Sequence, residues 1–486
     1  MSQVETGGEA RHNGAQGASR AATPVTGERA RFWILIIFLL FCALGGGASR
    51  TDVLSLIYLR PAAVLCIFGL LAVRGPWHFR ELRALFILLG TMAALVALQL
   101  VPLPPGMWQM LPGRAPYAEA AAALGIAQPW RPLTLTPDLT IASLLDFLPP
   151  FAVLFGLAGI PGSRRQALLP FMLCLICASA VLGILQLNSP ADSPVFLYQI
   201  RHEGSAVGLF ANRNHQAALI AIAFPLLRLW TLTPASGASH ARNRFWVAIG
   251  IALLLLPMVL VVGSRAGMGL AALGIVAAAL MAPSRGDLLQ GLTVRARRFV
   301  KLAGLATPLS LLVLAVALGR AVSVQRLFLL ENADNEVRLA NAPLTLRIAR
   351  DFFPFGAGFG SFDPVFRTYE PDQALSPLYF NHAHNDLVEL VISGGLPALL
   401  GLLAFMLWWL WRGWSAFVPY RAPSVSALFA RAGVIATLIL LLASLVDYPL
   451  RTPLLGVVFV IACAWISRGP MRQNGLKTAI RPPLAF

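Results

Sequence analysis

Residues 166–187 read QALLPFMLCLICASAVLGILQL, an apolar run that contains no charged side chain. An α-helix crosses the hydrocarbon layer of a bilayer in about 20 such residues. The whole chain shares this character, because 57% of its residues are hydrophobic and only 12% are charged. In soluble domains these fractions are about a half and about a quarter. The composition therefore predicts a membrane protein.

Similar apolar runs recur along the chain and predict about twelve membrane-spanning helices. Their approximate bounds are 32–48, 53–73, 84–101, 139–160, 166–187, 209–230, 245–262, 267–282, 302–319, 386–411, 429–446 and 453–467. An even number of spans places both termini on the same side of the membrane. The predicted fold is therefore an all-α polytopic membrane protein.

The basic residues indicate how these helices are oriented. The chain has 38 Lys and Arg against 21 Asp and Glu, which gives a formal net charge of +17. Nucleic-acid-binding proteins are often this basic, but here the Arg residues form short clusters between apolar runs, as the positive-inside rule describes. Most of these clusters fall in segments that share a side with the N-terminus. Both termini are therefore predicted to be cytoplasmic, and no nucleic-acid partner is expected.

The spans divide the chain into five parts. Residues 1–31 are predicted to be a disordered cytoplasmic tail, 32–319 carry helices one to nine, 320–385 form a large outer loop, 386–467 carry helices ten to twelve, and 468–486 form a second cytoplasmic tail. The first span is expected to be an uncleaved anchor. Long loops within compact proteins are usually functional, so the large loop is the first place to look for a site.

An amphipathic segment lies inside this loop, at Arg338–Phe353. Leu339, Ala342, Leu346, Ala349 and Phe353 share one helical face at three- and four-residue spacing. The segment is predicted to be a helix that lies on the membrane surface or caps the helical bundle. The glycine-rich turn that follows is not a nucleotide-binding loop, because no strand precedes it and no G-K-[ST] sequence occurs.

The strongest cluster of polar residues stands where the large loop enters span ten. It reads Asn381-His382-Ala383-His384-Asn385-Asp386 and is followed by Glu389. Ionisable groups at membrane depth are costly and indicate a functional site, although a hydrated helix start capped by Asn385 or Asp386 would also explain part of the pattern. A metal site is not predicted, since only two other histidines fall on the outer side.

Arginine stands at the outer boundary of two other spans, in Asn212-Arg213-Asn214 and in Ser264-Arg265. Such residues can simply extend toward lipid headgroups. A guanidinium group can also bind phosphate with two hydrogen bonds and stays charged at any working pH. Arg213 and Arg265 are therefore predicted to form an outer anion site beside a histidine base. Arg60 is a weaker candidate, and Asp447 and Arg451 are predicted to form a structural ion pair.

These motifs together resemble those of the O-antigen ligase and O-antigen polymerase superfamily. The resemblance rests on His382-Ala383-His384-Asn385-Asp386, Glu389, Gly394-Gly395-Leu396, Gly356–Phe362, Asn212-Arg213-Asn214, Ser264-Arg265 and Pro132–Pro137. It covers most of residues 130–410, with the long outer loop in the same place. The spans before residue 130 carry no such motif.

The resemblance implies a glycosyltransferase of the bacterial inner membrane that needs no metal or other cofactor. Its donor would be a glycan on polyprenyl pyrophosphate, and a lipid A–core or similar acceptor would receive that glycan on the periplasmic side, within surrounding membrane lipids. Arg213 and Arg265 would engage the pyrophosphate, and His384 or His382 would act on the acceptor hydroxyl. The supporting residues would be Asn212, Asn214, Asn385, Asp386 and Glu389.

Three other functions stay open at this stage. A polymerase of the same superfamily would join repeat units to one another. A secondary transporter would also have about twelve spans, but such proteins often show repeat symmetry and ionisable residues at the midplane, which this sequence lacks. A non-catalytic part of a polysaccharide export system would not depend on the two histidines.

Overall fold

A computed structural model of the chain describes residues 23–281, 338–372, 380–418 and 423–467. Most residues in these ranges are helical. The helices are α1 (Thr23–Gly45), α2 (Leu56–Ala72), α3 (Phe79–Leu98), α4 (Pro105–Gln109), α5 (Ala115–Ala123), α6 (Pro137–Leu145), α7 (Leu148–Ala158), α8 (Gly162–Gln166), α9 (Leu168–Leu187), α10 (Arg213–Leu232), α11 (Ala238–Val262), α12 (Arg265–Leu280), α13 (338–352), α14 (Phe362–Tyr369), α15 (Asp386–Phe417), α16 (Val425–Ala443) and α17 (Pro453–Ser467). Strands β1 (Pro102–Leu103) and β2 (Arg131–Pro132) pair antiparallel.

The described helices agree with the apolar runs. Seven of them, some joined from adjacent segments, are long and apolar enough to cross a membrane: Phe79–Leu98, Pro137–Ala158, Gly162–Leu187, Arg213–Leu232, Ala238–Val262, Asp386–Phe417 and Val425–Ala443. Helices α2, α12 and α17 are apolar but shorter. The predicted ninth span, 302–319, lies outside the described residues. The chain is an all-α, multi-pass membrane protein.

The first helix begins earlier than its apolar run. It starts at Thr23, so the end of the segment predicted as a disordered tail is helical. Arg31 lies inside this helix, where its side chain is buried and donates hydrogen bonds to the carbonyls of Leu70 at 3.3 Å and Val73 at 2.5 Å. In the sequence this arginine looks like part of a polar tail, but in the structure backbone carbonyl oxygens accept hydrogen bonds from its charged group.

Buried arginines recur at this end of the bundle. Arg431 donates to the carbonyl oxygens of Ala416 at 2.9 Å and Met281 at 2.7 Å, at the ends of α15 and α12. The last carbonyls of a helix have no partner inside it and lie at the negative end of its dipole, so a guanidinium group satisfies them well. We call this the arginine-capped end, and it is defined by Arg31, Arg165, Arg412 and Arg431.

Helix α10 runs through the middle of the bundle and is buried along most of its length. It packs most extensively against α12. A side chain at Gly267 would collide with Ala217, and one at Gly274 would stand 2.6 Å from the Ala221 carbonyl oxygen. The second contact lies closer to the C-terminus than the first on both helices. Helices α10 and α12 are therefore parallel, and their N-termini lie side by side.

A second, smaller core lies beyond this bundle and forms what we call the outer cap, residues 338–372 and 380–394. Its buried side chains come from α13, α14, the segment before the histidine loop and the start of α15, and they include Ile348, Phe352, Phe362, Phe366, Phe380 and Ile392. The apolar face predicted for α13 packs in this core only in part, through Ala349. Leu339, Leu346 and Phe353 are exposed, because the helix contacts the cap mainly through Ile348 and Phe352.

A break in α15 separates the outer cap from the membrane. Gly395 has φ 55° and ψ −145°, which are not helical values. Before it, Val388, Val391 and Ile392 pack in the cap core. After it, exposed leucines recur every three or four residues, as expected for a face that contacts lipid: Leu396, Leu400, Leu403 and Leu407. The predicted span 386–411 therefore starts correctly as a helix, and the apolar segment after the break, Leu396–Phe417, is long enough by itself to cross a bilayer.

Candidate functional site

The histidine loop is held by the first turn of the helix that follows it. The Asn385 side chain caps α15 by accepting hydrogen bonds from the backbone of Leu387 at 3.0 Å and Val388 at 3.1 Å. Glu389 accepts a hydrogen bond from the backbone N–H of Ala383 at 2.9 Å. His384 has φ 48°, a left-handed conformation that is uncommon for residues other than glycine and often marks a functional site. The loop thus directs its two histidines toward different carboxylates.

His382 belongs to a chain of paired charges. Its Nδ1 lies 3.0 Å from Glu389 Oε1, and that same oxygen lies 3.2 Å from Nη1 of Arg451. Arg451 Nε donates to Asp386 Oδ1 at 2.8 Å. The buried Glu389 and the half-buried Asp386 thus share one guanidinium group, and Glu389 holds both the His382 ring and the loop backbone.

His384 faces the other carboxylate. Its Nδ1 lies 3.4 Å from Oδ1 of Asp447. Oδ2 of Asp447 accepts hydrogen bonds from the side-chain amides of Asn212 at 3.1 Å and Asn214 at 2.6 Å. Burial alone would raise the pKa of the Asp447 carboxyl, but its contact with His384, together with His215 and Arg338, holds that pKa well below its usual range. Asp447 is therefore ionised beside His384.

Tyr448 packs between the histidines. Its ring centroid lies 4.3 Å from that of His382, 5.0 Å from that of His384 and 5.4 Å from that of His215. Burial raises the pKa of the Tyr448 hydroxyl, so the ring acts as a neutral surface against which the imidazoles are fixed.

The two predicted arginines occupy equivalent positions on parallel helices. Arg213 is the first residue of α10 and Arg265 is the first residue of α12. Asn212 caps α10, and the Ser264 hydroxyl caps α12 by accepting from Gly267 N–H at 3.0 Å. Arg213 is buried, whereas Arg265 is exposed. Because the two N-termini lie side by side, both residues belong to the end of the bundle that carries the histidines.

A small cavity lies beside the N-termini of α10 and α12. It is lined by Asn214 and His215 from α10, by Ala266 and Gly267 from α12, and by Asp447. His215 is buried, and within the described residues neither of its ring nitrogens has a hydrogen-bond partner. An unsatisfied buried polar group costs about 1–3 kcal/mol, so His215 is suited to a polar group that a substrate brings. The sequence analysis did not single it out as a site residue.

Several polar residues take partners other than those predicted. Asp447 and Arg451 do not form the expected ion pair, because Asp447 contacts His384 and Arg451 contacts Asp386 and Glu389. These partners lie about 60 residues away along the chain, so only the fold reveals them. Arg60 donates to Asp146 at 2.8 Å. We call the end defined by Arg213, Arg265, His382, His384 and Asp447 the histidine end.

The glycine-rich turn supports the break in α15. Ala357 N–H donates to the Ile392 carbonyl at 2.7 Å, and Gly358 N–H donates to the Ser393 carbonyl at 3.0 Å. Gln99 on α3 bonds the same two segments, since its side chain donates to Ser393 O at 3.0 Å and accepts from Phe359 N–H at 2.9 Å. The turn therefore replaces the helical partners that these carbonyls lose at Gly395.

The Pro132–Pro137 stretch holds this turn from the other side. Leu135 N–H donates to the Ala357 carbonyl at 2.8 Å, and the hydroxyl groups of Thr136 and Ser361 lie 2.7 Å apart. A side chain at Gly358 would collide with Thr134, so this position needs glycine. Both motifs are thus frame elements that position the histidine loop rather than groups that contact a reacting atom.

Comparison with known proteins extends this picture. A comparison of the sequence with curated proteins returned no match. A family model described as O-antigen ligase matches residues 249–403. That segment contains Arg265, the glycine-rich turn, both histidines of the loop and Glu389, whereas Arg213 and Asp447 lie outside it. This segment, about a third of the chain, is therefore similar to the O-antigen ligase family.

Proposed function

We propose that this protein is a membrane glycosyltransferase that moves a glycan from a polyprenyl pyrophosphate carrier to a lipid A–core or similar acceptor on the periplasmic side of the inner membrane. The observation that supports this most directly is the meeting of an ionised Asp447 with His384 beside the N-termini of α10 and α12. A base and an anion-binding region are the two parts that transfer from a diphosphate needs.

His384 is the better candidate for the base. Glu389 beside His382 is already paired with the Arg451 guanidinium group. Asp447 takes its side-chain hydrogen bonds from the neutral amides of Asn212 and Asn214, so its negative charge can stabilise a protonated His384. With Nδ1 turned toward Asp447, Nε2 of His384 is the atom that would accept a proton from the acceptor hydroxyl.

The proposed role of the two arginines is to stabilise the diphosphate leaving group. As the acceptor oxygen bonds to the anomeric carbon, the bond from that carbon to the diphosphate oxygen breaks and negative charge develops on the diphosphate. Helix N-termini favour anions, and Arg213 and Arg265 would add two fixed cations there, which lowers the energy of the transition state. The acceptor proton ends on His384 and is later released to solvent.

The histidines provide the test. His384→Ala is expected to lower the rate of glycan transfer about 1,000-fold, because general-base catalysis contributes about 10²–10⁴. His382→Ala is the matched control, and it should reduce the rate about tenfold through loss of positioning. The measurement is transfer by purified protein in vesicles, with the glycan pattern of the corresponding strains read on a gel.

The gel distinguishes the alternatives. Glycan-free core in the His384→Ala strain supports the ligase, whereas core capped with a single repeat unit supports a polymerase. An unchanged pattern in a strain that lacks both histidines would contradict catalysis and favour a transporter or an export component.

A further inference from the structure

Helix α13 has three distinct faces. Thr345, Ile348 and Phe352 are buried against the outer cap. Leu339, Leu346 and Phe353 are exposed by 75%, 58% and 42%. At 100° per residue, this exposed apolar face lies about 140° around the helix from the buried one. A solvated helix gains nothing from such a face, so its occupant has to be apolar.

The third face of α13 is polar. Arg347 is largely exposed and lies 3.8 Å from Asp351. Ala340 is exposed on the same side. Arg350 falls between this face and the apolar one, where its aliphatic stem can follow apolar surface while its guanidinium group reaches phosphate. An apolar stripe with a cation at its edge is the arrangement of a helix that lies in a lipid headgroup layer.

The apolar face of α13 continues into the membrane-facing side of α15. The chain leaves α13 through the exposed Phe353 and Phe355. Pro354 between them accepts a hydrogen bond from Leu396 N–H at 2.7 Å. Leu396 is the first of the exposed leucines after the break at Gly395. The surface that α13 leaves uncovered therefore meets a surface that lipid already covers.

The length of α15 is consistent with a position of α13 at the edge of the hydrocarbon layer. The helix rises about 30 Å between Leu396 and Ala416, which is about the thickness of the hydrocarbon layer. Ala416 belongs to the arginine-capped end, where Arg431 binds its carbonyl oxygen. Leu396 thus stands at the opposite edge of the hydrocarbon, and α13 ends beside it.

We propose that α13 is embedded in the outer surface of the bilayer, with Leu339, Leu346 and Phe353 among acyl chains and Arg350 at lipid phosphates. The partner is a phospholipid layer. This contact fixes the height of the outer cap, and through the cap it fixes the histidine loop relative to lipid-borne substrates. The lipid contact does not depend on the proposed reaction.

Spin labels measure this contact without reference to activity. Cys174 and Cys177 are first replaced by alanine, since the other three cysteines are buried. A nitroxide is then placed by Leu346→Cys or, as the matched control, by Ala340→Cys, in vesicles of phosphatidylethanolamine and phosphatidylglycerol. The label at 346 should collide with oxygen about tenfold more readily than with a water-soluble nickel chelate, and the label at 340 should show the reverse preference. Equal access of the nickel chelate to both labels would overturn the proposal.

Charge substitutions add a functional readout. Leu346→Glu combined with Phe353→Glu should reduce the transfer rate in vesicles about tenfold, because charge is costly among acyl chains. Ala340→Glu should stay within about twofold of the wild type, since that position faces water. If the wild-type protein transfers no glycan, the proposed function fails while the spin-label result still decides the lipid contact. A normal rate in the double variant, with a lipid-exposed label at 346, would show that lipid contact does not position the site.

Discussion

The two ends of the bundle both collect arginine, and they use it in opposite ways. At the arginine-capped end, Arg431 binds carbonyl oxygens at the ends of α12 and α15. There the negative end of each helix dipole stabilises a cation. At the histidine end, Arg213 and Arg265 are the first residues of α10 and α12, where the positive end of the dipole disfavours a cation. A cation in that position is disfavoured by the helix dipole, whereas an anion there is stabilised.

This comparison teaches that helix direction separates structural arginines from candidate ligand-binding ones. Residue type and burial do not separate them, since Arg213 is buried just as Arg431 is. Three substitutions test this distinction between structural and ligand-binding roles. They are ordered from the largest expected effect on transfer to the smallest.

Asp447→Asn should have the largest effect. It removes the negative charge that stabilises a protonated His384 and permits the wrong ring tautomer, so the transfer rate should fall about 100- to 10,000-fold. Because the pKa of Asp447 is held below its usual range, the carboxylate is ionised throughout the working pH range. The rate in purified, vesicle-bound protein is the measurement, and a rate within threefold of the wild type would remove Asp447 from the mechanism.

Arg265→Lys should have an intermediate effect. Lysine keeps the charge but cannot bind phosphate oxygens with two parallel hydrogen bonds, so kcat should fall about 10- to 100-fold with little change in expression or melting temperature. Arg244→Lys, at an exposed hydrogen bond to Pro234 O, is the control and should leave kcat unchanged. Equal kinetics for the two variants would argue against a phosphate contact at Arg265.

Arg431→Met should have the smallest effect on chemistry. It leaves the carbonyls of Ala416 and Met281 without their guanidinium partner, which costs about 1–3 kcal/mol for each unsatisfied group. The unfolding temperature in detergent should therefore fall by several degrees. The kcat of the protein that remains folded should match that of the wild type. A large loss of kcat at unchanged stability would mean that the two ends are not functionally separate.

Much of the membrane fold could be predicted from local sequence. Apolar runs located most of the described helices, because a helix needs a long apolar segment to cross a bilayer. The runs could not show that α6 and α7 meet at Asp146 or that α15 breaks at Gly395. Both breaks depend on partners from elsewhere, such as Arg60 for Asp146 and the glycine-rich turn for α15.

The candidate site was only partly accessible to sequence reasoning. His382, His384, Arg213 and Arg265 stood in motifs at helix boundaries, where a charged residue needs an explanation. The pairing of His384 with Asp447 could not be found this way, because it joins the large loop to a short connection after α16. The sequence also could not show that part of the apolar face of α13 is exposed, because an amphipathic periodicity is the same whether that face contacts protein or lipid.

The short helices α12 and α17 have a consequence for how lipids reach the site. At 1.5 Å per residue they rise about 24 Å and about 22 Å, against about 30 Å of hydrocarbon. Arg431 and Arg412 tie their C-terminal ends to that of α15, so the shortfall falls wholly at the histidine end. If Leu396–Ala416 spans the hydrocarbon as proposed above, the polar floor of the bundle lies about 6–8 Å beneath the neighbouring bilayer surface. A lipid-attached phosphate would then have to reach the floor by lateral movement from the neighbouring bilayer, and a thinner membrane would shorten that path.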